Sequence, residues 1–132
     1  MAPRITWGLL LLSLLAGCTT SPTTSGKPAV IVKFLGDDQI APVNSLLPTP
    51  IRVSVVNGAA VALPGVLVTW TVLSGGGATN DTTTVTDVNG ESEVRWILGG
   101  KVGEQDLQAS VTGTLPVTFI ATATPASGSR AR

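Results

Sequence analysis

The sequence predicts an all-β domain, a sandwich of about seven strands in two sheets that does without a disulfide. Three observations carry that prediction. Short stretches that alternate apolar and polar residues recur along the chain, clusters of Gly, Pro and Asn separate them, and no window of about eleven residues shows helical spacing. The clearest case is Val66 to Gly77, VLVTWTVLSGGG. Successive side chains of a strand point to opposite faces, so Val66, Val68, Trp70 and Val72 share one side. The serine and three glycines that follow end the pattern abruptly.

The other elements follow in order. Ala29 to Leu35 opens the domain, with Val30, Val32 and Phe34 assigned to the inner face. Gly36 to Pro50 has three prolines and no alternation, which predicts a long crossing rather than a central strand. Ile51 to Val56 alternates again, with Ile51, Val53 and Val55 together. Asn57-Gly58 suits a turn that needs positive φ, and Pro64-Gly65 suits another before the central strand. Thr82 to Thr86 reads as a short threonine-rich strand and is the candidate open edge of the sandwich. Asp87 to Gly90 reads as a turn. Glu91 to Leu98 follows as one strand, with Ser92, Val94 and Trp96 on one face and Glu91, Glu93 and Arg95 on the other. Leu107, Ala109 and Val111 mark the next strand, and Val117, Phe119, Ala121 and Ala123 the last. The predicted core is Trp70, Trp96, Val68, Val94, Phe34 and Phe119, the two tryptophans replacing the inter-sheet disulfide of antibody domains. An aromatic side chain buries roughly 150–250 Å², so each ring carries a large share of the core. About seven strands with turn signals every ten residues or so describe an immunoglobulin-like sandwich.

Six short motifs then appear in a fixed order. They are Gly36-Asp37-x-Gln39, Leu47-Pro48-x-Pro50-Ile51, Pro64-Gly65-Val66 leading into Val68-Thr69-Trp70, Ser74-Gly75-Gly76-Gly77, Thr86-Asp87-x-x-Gly90 and Trp96-x-Leu98-Gly99. On these the segment 28–124 resembles the bacterial immunoglobulin-like group 1 domain, which is repeated along invasins and intimins and also occurs singly. The resemblance implies a sandwich fold and a structural or adhesive role. The 132 residues read as one such domain, departing from the best-studied members in showing no repeat stack, outer-membrane barrel or lectin-like adhesive domain among them.

The beginning of the chain reads as an address. Residues 1–17, MAPRITWGLLLLSLLAG, pair a single positive charge at Arg4 with an apolar run from Gly8 to Leu15. That run is far shorter than the roughly 20 residues a spanning helix needs, so the segment is predicted to be a signal peptide. Its end, Leu14-Leu15-Ala16-Gly17-Cys18, resembles the lipobox of bacterial lipoproteins. In that family the cysteine thiol receives a diacylglyceryl group, the signal is removed before it and the new amino terminus is acylated. Several acyl chains, each methylene contributing ~0.8 kcal/mol, hold a protein on a membrane far better than one. Thr19 stands where lipoproteins retained at the inner membrane usually have Asp, which implies the outer membrane if the cell has one. Residues 18–27 are the lipidated Cys18 and a small, polar, flexible tether, and residues 125–132 read as a frayed tail.

Composition narrows the chemistry. The chain of 132 residues has eight basic and eight acidic residues, so no net field draws nucleic acid or anionic lipid. It has no histidine and no tyrosine, which removes the commonest general base, and its one cysteine supports neither a structural zinc site nor an internal disulfide. Gly75-Gly76-Gly77 lacks the Lys-Ser/Thr end of a phosphate loop. Asp87-x-Asn89-Gly90 lacks the remaining ligands of a calcium loop. The close carboxylate pairs, Asp37 with Asp38 and Glu91 with Glu93, read as solvated groups, so no enzyme, cofactor or metal is expected. The sequence therefore points to a lipid-anchored envelope protein, extracytoplasmic, whose domain is a structural or protein-binding module with an open sheet edge for a partner. An adhesin or glycan-binding module is the alternative, and an accessory subunit of an envelope enzyme or export complex is the third.

Overall fold

The structure, a computed structural model, describes residues 26–126. The predicted signal peptide 1–17, Cys18, most of the tether and all but the first two residues of the tail lie outside the described residues. Ten strands and no helix form among the described residues: β1 (Val30–Leu35), β2 (Gln39–Pro42), β3 (Ile51–Val56), β4 (Leu67–Val72), β5 (Ala78–Thr79), β6 (Thr83–Val85), β7 (Glu91–Val94), β8 (Trp96–Ile97), β9 (Gly103–Ser110) and β10 (Val117–Thr124). One sheet has the order β2-β10-β9-β4-β6 and the other β1-β3-β7, with β5 and β8 as a two-stranded ribbon. Every pairing is antiparallel except β2 with β10.

The strand count exceeds the expected seven for three reasons. The proline-containing crossing conceals β2, which pairs in parallel with β10 from Gln39 against Ala121 to Pro42 against Thr124. Ala78 and Thr79 form the short β5. The expected single strand Glu91 to Leu98 breaks at Arg95, where pairing passes from β3 to β5. There Arg95 N donates to Asn80 Oδ1 at 2.7 Å and Asn80 N donates to Arg95 O at 3.1 Å. The side-chain phase survives the break, so Ser92, Val94, Trp96 and Leu98 are all buried.

One core lies between the sheets. Ile51, Val53 and Val55 enter it from β3, Val68 and Trp70 from β4, Val94 from β7, Trp96 from β8, Leu107 and Ala109 from β9, and Phe119 and Ala121 from β10. Trp70 meets Phe119 with ring centroids 6.5 Å apart and planes tilted by 40°, a favourable aromatic arrangement. Both rings rise from the inner face of the larger sheet, so the aromatic partner of Trp70 comes from β10 and not from a facing tryptophan.

The assignment of Phe34 to the core is wrong. Phe34 is 52% exposed, and Val30 and Val32 share its outward phase, while Ile31 is the buried residue of β1. β1 is the outer strand of the smaller sheet, and its pairing with β3 is irregular between Lys33 and Leu35. Lys33 occupies the seam instead: Nζ donates to Thr118 O at 2.9 Å and to Asp37 Oδ2 at 2.5 Å and lies 5.6 Å from the Phe119 ring centroid. A lysine stem covers apolar surface while its ammonium finds oxygen, which an apolar side chain could not do there.

The six motifs make three junctions. In the first, Gly36 and Asp38 adopt φ of 96° and 57° where the chain passes from the smaller sheet to the larger. Gln39 ties that crossing to the second motif: Nε2 donates to Gly36 O and Thr49 O at 2.7 and 2.8 Å, and Oε1 accepts Thr49 N at 2.9 Å. In the second, the buried Thr86 hydroxyl donates to Leu63 O at 2.6 Å and accepts Val66 N at 2.8 Å, fastening the turn after β6 to the chain before β4. In the third, a Cβ on Gly99 would fall on Gly75 O, and one on Gly77 would fall on Ile97 O. The fully buried Gln105 closes this junction, accepting Gly99 N at 2.8 Å and donating to Gly99 O and Lys101 O at 3.1 and 2.7 Å. The expected positive φ in the Asn57-Gly58 turn falls on Ala60 instead, because Asn57 Oδ1 accepts the N–H groups of Ala59 and Val61 and shapes the loop.

Candidate binding edge

β6 ends the five-stranded sheet and β7 ends the three-stranded sheet, and the two meet at one side of the sandwich. Trp70 N donates to Thr82 O at 2.8 Å and Thr86 N donates to Val66 O at 2.9 Å, bracketing the pairs of β4 with β6. Antiparallel bonding alternates along a ladder, so Val68 and Thr84 exchange bonds while the main-chain groups of Thr83 and Val85 face away from β4. The side chains of Thr83 and Val85 are exposed. Thr84 points inward, where its Oγ1 accepts Trp70 Nε1 at 2.7 Å and its hydroxyl meets that of Ser92. The threonine-rich segment singled out in the sequence is therefore a sheet edge, with the central tryptophan holding it from behind.

An open cleft of about 410 Å³ runs along this edge, lined among others by Arg52, Thr84, Val85, Glu91 and Glu93. Arg52 Nη2 donates to Glu93 Oε2 at 2.7 Å and Nη1 reaches Glu91 Oε1 at 3.4 Å. The hydrogen bond to Glu93 leads the effects that push the Arg52 guanidinium further up, so it stays charged. The Glu91 and Glu93 pair is thus shared by one cation across β3 and β7. Asp37 is engaged elsewhere: partial burial raises its carboxyl, but the hydrogen bonds from Lys33 and from Ile120 N outweigh this and hold it below the usual range. Among the described residues no group of three potential ligands comes together to hold a metal.

Of the other residues singled out, Trp96, Val68, Val94 and Phe119 are fully buried in the core and none reaches the cleft. Trp96 differs from Trp70 in that its Nε1 is buried without a hydrogen-bond partner in the protein. Arg52 was not singled out in the sequence. Its position opposite Glu93 depends on the pairing of β3 with β7, across a separation that alternation within one strand cannot reveal.

Comparison with solved structures places the fold. The D00-D0 domain of intimin superposes with a TM-score of 0.51 at 15% identity, covering 83% of this chain and 53% of that one. The chain folds as an intimin-type immunoglobulin-like sandwich. A C-terminal 282-residue fragment of intimin, in complex with the intimin-binding domain of the translocated intimin receptor, gives 0.57 at 21% identity over 74% of this chain and 33% of that one. A glycosyl hydrolase family 2 member from Bacteroides cellulosilyticus DSM 14838 gives 0.56 at 16% identity, over 74% of this chain and 15% of the enzyme. The chain thus spans about half, or less, of the length of the solved structures it matches. No protein-family model and no curated protein sequence matches it.

Proposed function

We propose that this chain is a lipid-anchored, extracytoplasmic protein of the cell envelope, at the outer membrane where the cell has one, whose immunoglobulin-like domain binds a protein partner without catalysis. The partner adds an extended strand along β6. The outward main-chain groups of Thr83 and Val85 carry this reading, because an unpaired edge gives affinity through backbone bonds and specificity through alternate side chains. Arg52, Glu91 and Glu93 beside the edge supply charge that a partner's side chains can read. The ion pairing of Asp37, Glu91 and Glu93 supports a binding role, since none of the three stands free as a general acid or base. The lipobox-like end of the leader supports the anchor, and the intimin fragment solved with its receptor offers a parallel for a protein partner.

Capture from detergent-solubilised envelopes tests the edge. The parent protein is expected to retain a stoichiometric protein, and Val85→Pro, which deletes an outward N–H while sparing the ladder to β4, is expected to lose it. Capture unchanged in Val85→Pro would refute the edge, and retention on peptidoglycan or glycan with no protein partner would favour the adhesive alternative. Palmitate labelling tests the anchor separately: it should vanish in Cys18→Ala, and its persistence would refute lipidation at that thiol.

A further inference from the structure

The end of the sandwich where β1 begins and β6 ends carries apolar loops that meet the binding edge only through Asp87 and Asn89, which line its cleft. Leu115, on the turn between β9 and β10, is 85% exposed, and Val88, on the turn between β6 and β7, is 84% exposed. They are the two most exposed large apolar side chains among the described residues. Val61, on the loop after β3, is half exposed beside them. These loops are neighbours. Gly90 packs against Ala62, and Asn57 to Ala59 share a hollow with Thr112, Gly113 and Gly26 to Ala29. Segments 57–66 and 111–116 contain no charged residue. The one charge on the turn 86–90 is Asp87, whose Oδ1 is taken up by the N–H groups of Asn89 and Glu91. At the opposite end, Leu46, Leu73 and Val102 are about as covered as Val61, and none approaches the exposure of Leu115 or Val88.

We propose that this N-terminal pole is a lipid-contacting surface, with Val61, Val88 and Leu115 seated in the interface of the bilayer that holds Cys18. The inference rests on the anchor reading above. Cys18 stands eight positions before Gly26, so the connecting chain spans at most about 29 Å. The opposite pole lies farther by the length of β10, eight residues or about 26 Å. Three small apolar tips would bind a membrane only weakly when free. A tether of this length holds them near the lipid at an effective concentration in about the millimolar range, so a weak contact becomes a fixed orientation. Lys27, next to the pole, suits anionic headgroups or phosphate oxygens. Seated this way, the domain holds its C-terminal end away from the membrane.

The test uses the protein purified from envelopes and placed in phosphatidylcholine–phosphatidylglycerol vesicles, with Leu115→Trp, Val88→Trp and, at the far pole, Val102→Trp. Trp70 and Trp96 are buried and give a common background. Brominated lipid is expected to quench Leu115→Trp and Val88→Trp at least about twofold more than Val102→Trp, as interfacial insertion requires. Equal quenching at both poles would overturn the proposal. Shielding of Leu115→Trp that grows with protein density and is insensitive to bromine would also overturn it, in favour of contact with a second copy. If mass spectrometry finds Cys18 without acyl chains, the anchor reading fails by itself. The thiol is then coupled to a maleimide lipid, and the same quenching comparison decides whether the pole meets lipid.

Discussion

The junction of Gly75 with Gly99 at one pole of this sandwich and the loop 57–66 at the other use glycine in opposite ways. At the C-terminal pole, Gly75, Gly77 and Gly99 pack backbone against backbone around the buried Gln105, and there is no room for a methyl group at any of them. At the N-terminal pole, a Cβ on Gly58 or Gly65 would meet nothing within 4 Å. Glycine at 75, 77 and 99 is demanded by close packing, and at 58 and 65 by no more than the turn, while Gly90 is the one tightly packed glycine among the N-terminal turns. A locked junction and an open loop result.

Substitution at the locked junction should break the contrast most severely. Gly99→Ala forces a methyl group into fixed backbone, and overpacking of this kind costs about 3 kcal/mol or more where nothing can move. Urea unfolding should show the midpoint lowered further than in any other variant here. Gln105→Leu should follow, at about 2–3 kcal/mol, because it strands Gly99 N and two carbonyls that the amide now satisfies. Equal melting of Gln105→Leu and the parent would show that the junction holds without its amide.

The two tryptophans sharpen the comparison inside the core. Trp70→Phe loses the bond to Thr84 and should cost about 1–3 kcal/mol, whereas Trp96→Phe removes an unpartnered buried N–H and should cost less. Thermal melts of the two variants side by side decide this. A greater loss in Trp96→Phe would mean that ring volume outweighs the polar term at β8.

Acid should probe the seam at β1. The Asp37 carboxyl is lowered from its ordinary 3.8 in the folded state. A lowered group contributes stability that is present above the unfolded pKa and lost as pH falls through the folded one. The melting difference between the parent and Asp37→Asn should therefore be full near pH 7 and close below about pH 4. A difference that persists at low pH would assign the effect to packing around Lys33. The smallest effect belongs to the open loop. Gly58→Ala meets open space and needs no left-handed φ, so its melting should stay within about 0.5–1 kcal/mol of the parent.

Residues in central strands were legible because only one of their two faces is apolar and that face meets the core. Val68 with Trp70, Ile51 with Val53, and Phe119 with Ala121 follow alternation for this reason. β1 was not legible, because its wholly apolar face, Val30, Val32 and Phe34, is the one turned outward, while the face that carries Lys33 buries only Ile31 in this outer strand. β2 was hidden for a related reason: its order comes from a parallel partner some eighty residues away in β10, and no local pattern reports such a pairing. The threonine-rich edge could be read from residue type, while Arg52 beside it could not, since its neighbours arrive from β7.

Taken alone, the chain determined the seven principal extended stretches, most of the turns between them, and a core of aliphatic and aromatic side chains without sulfur bridges. These are local properties, set by side-chain alternation and by the φ that Gly, Pro and Asn permit. Tertiary structure decided which motif meets which, which side of β1 faces water, and which main-chain groups are left unpaired at β6. Those outcomes depend on contacts between residues distant in sequence, where the energy of a position is fixed by what arrives opposite it.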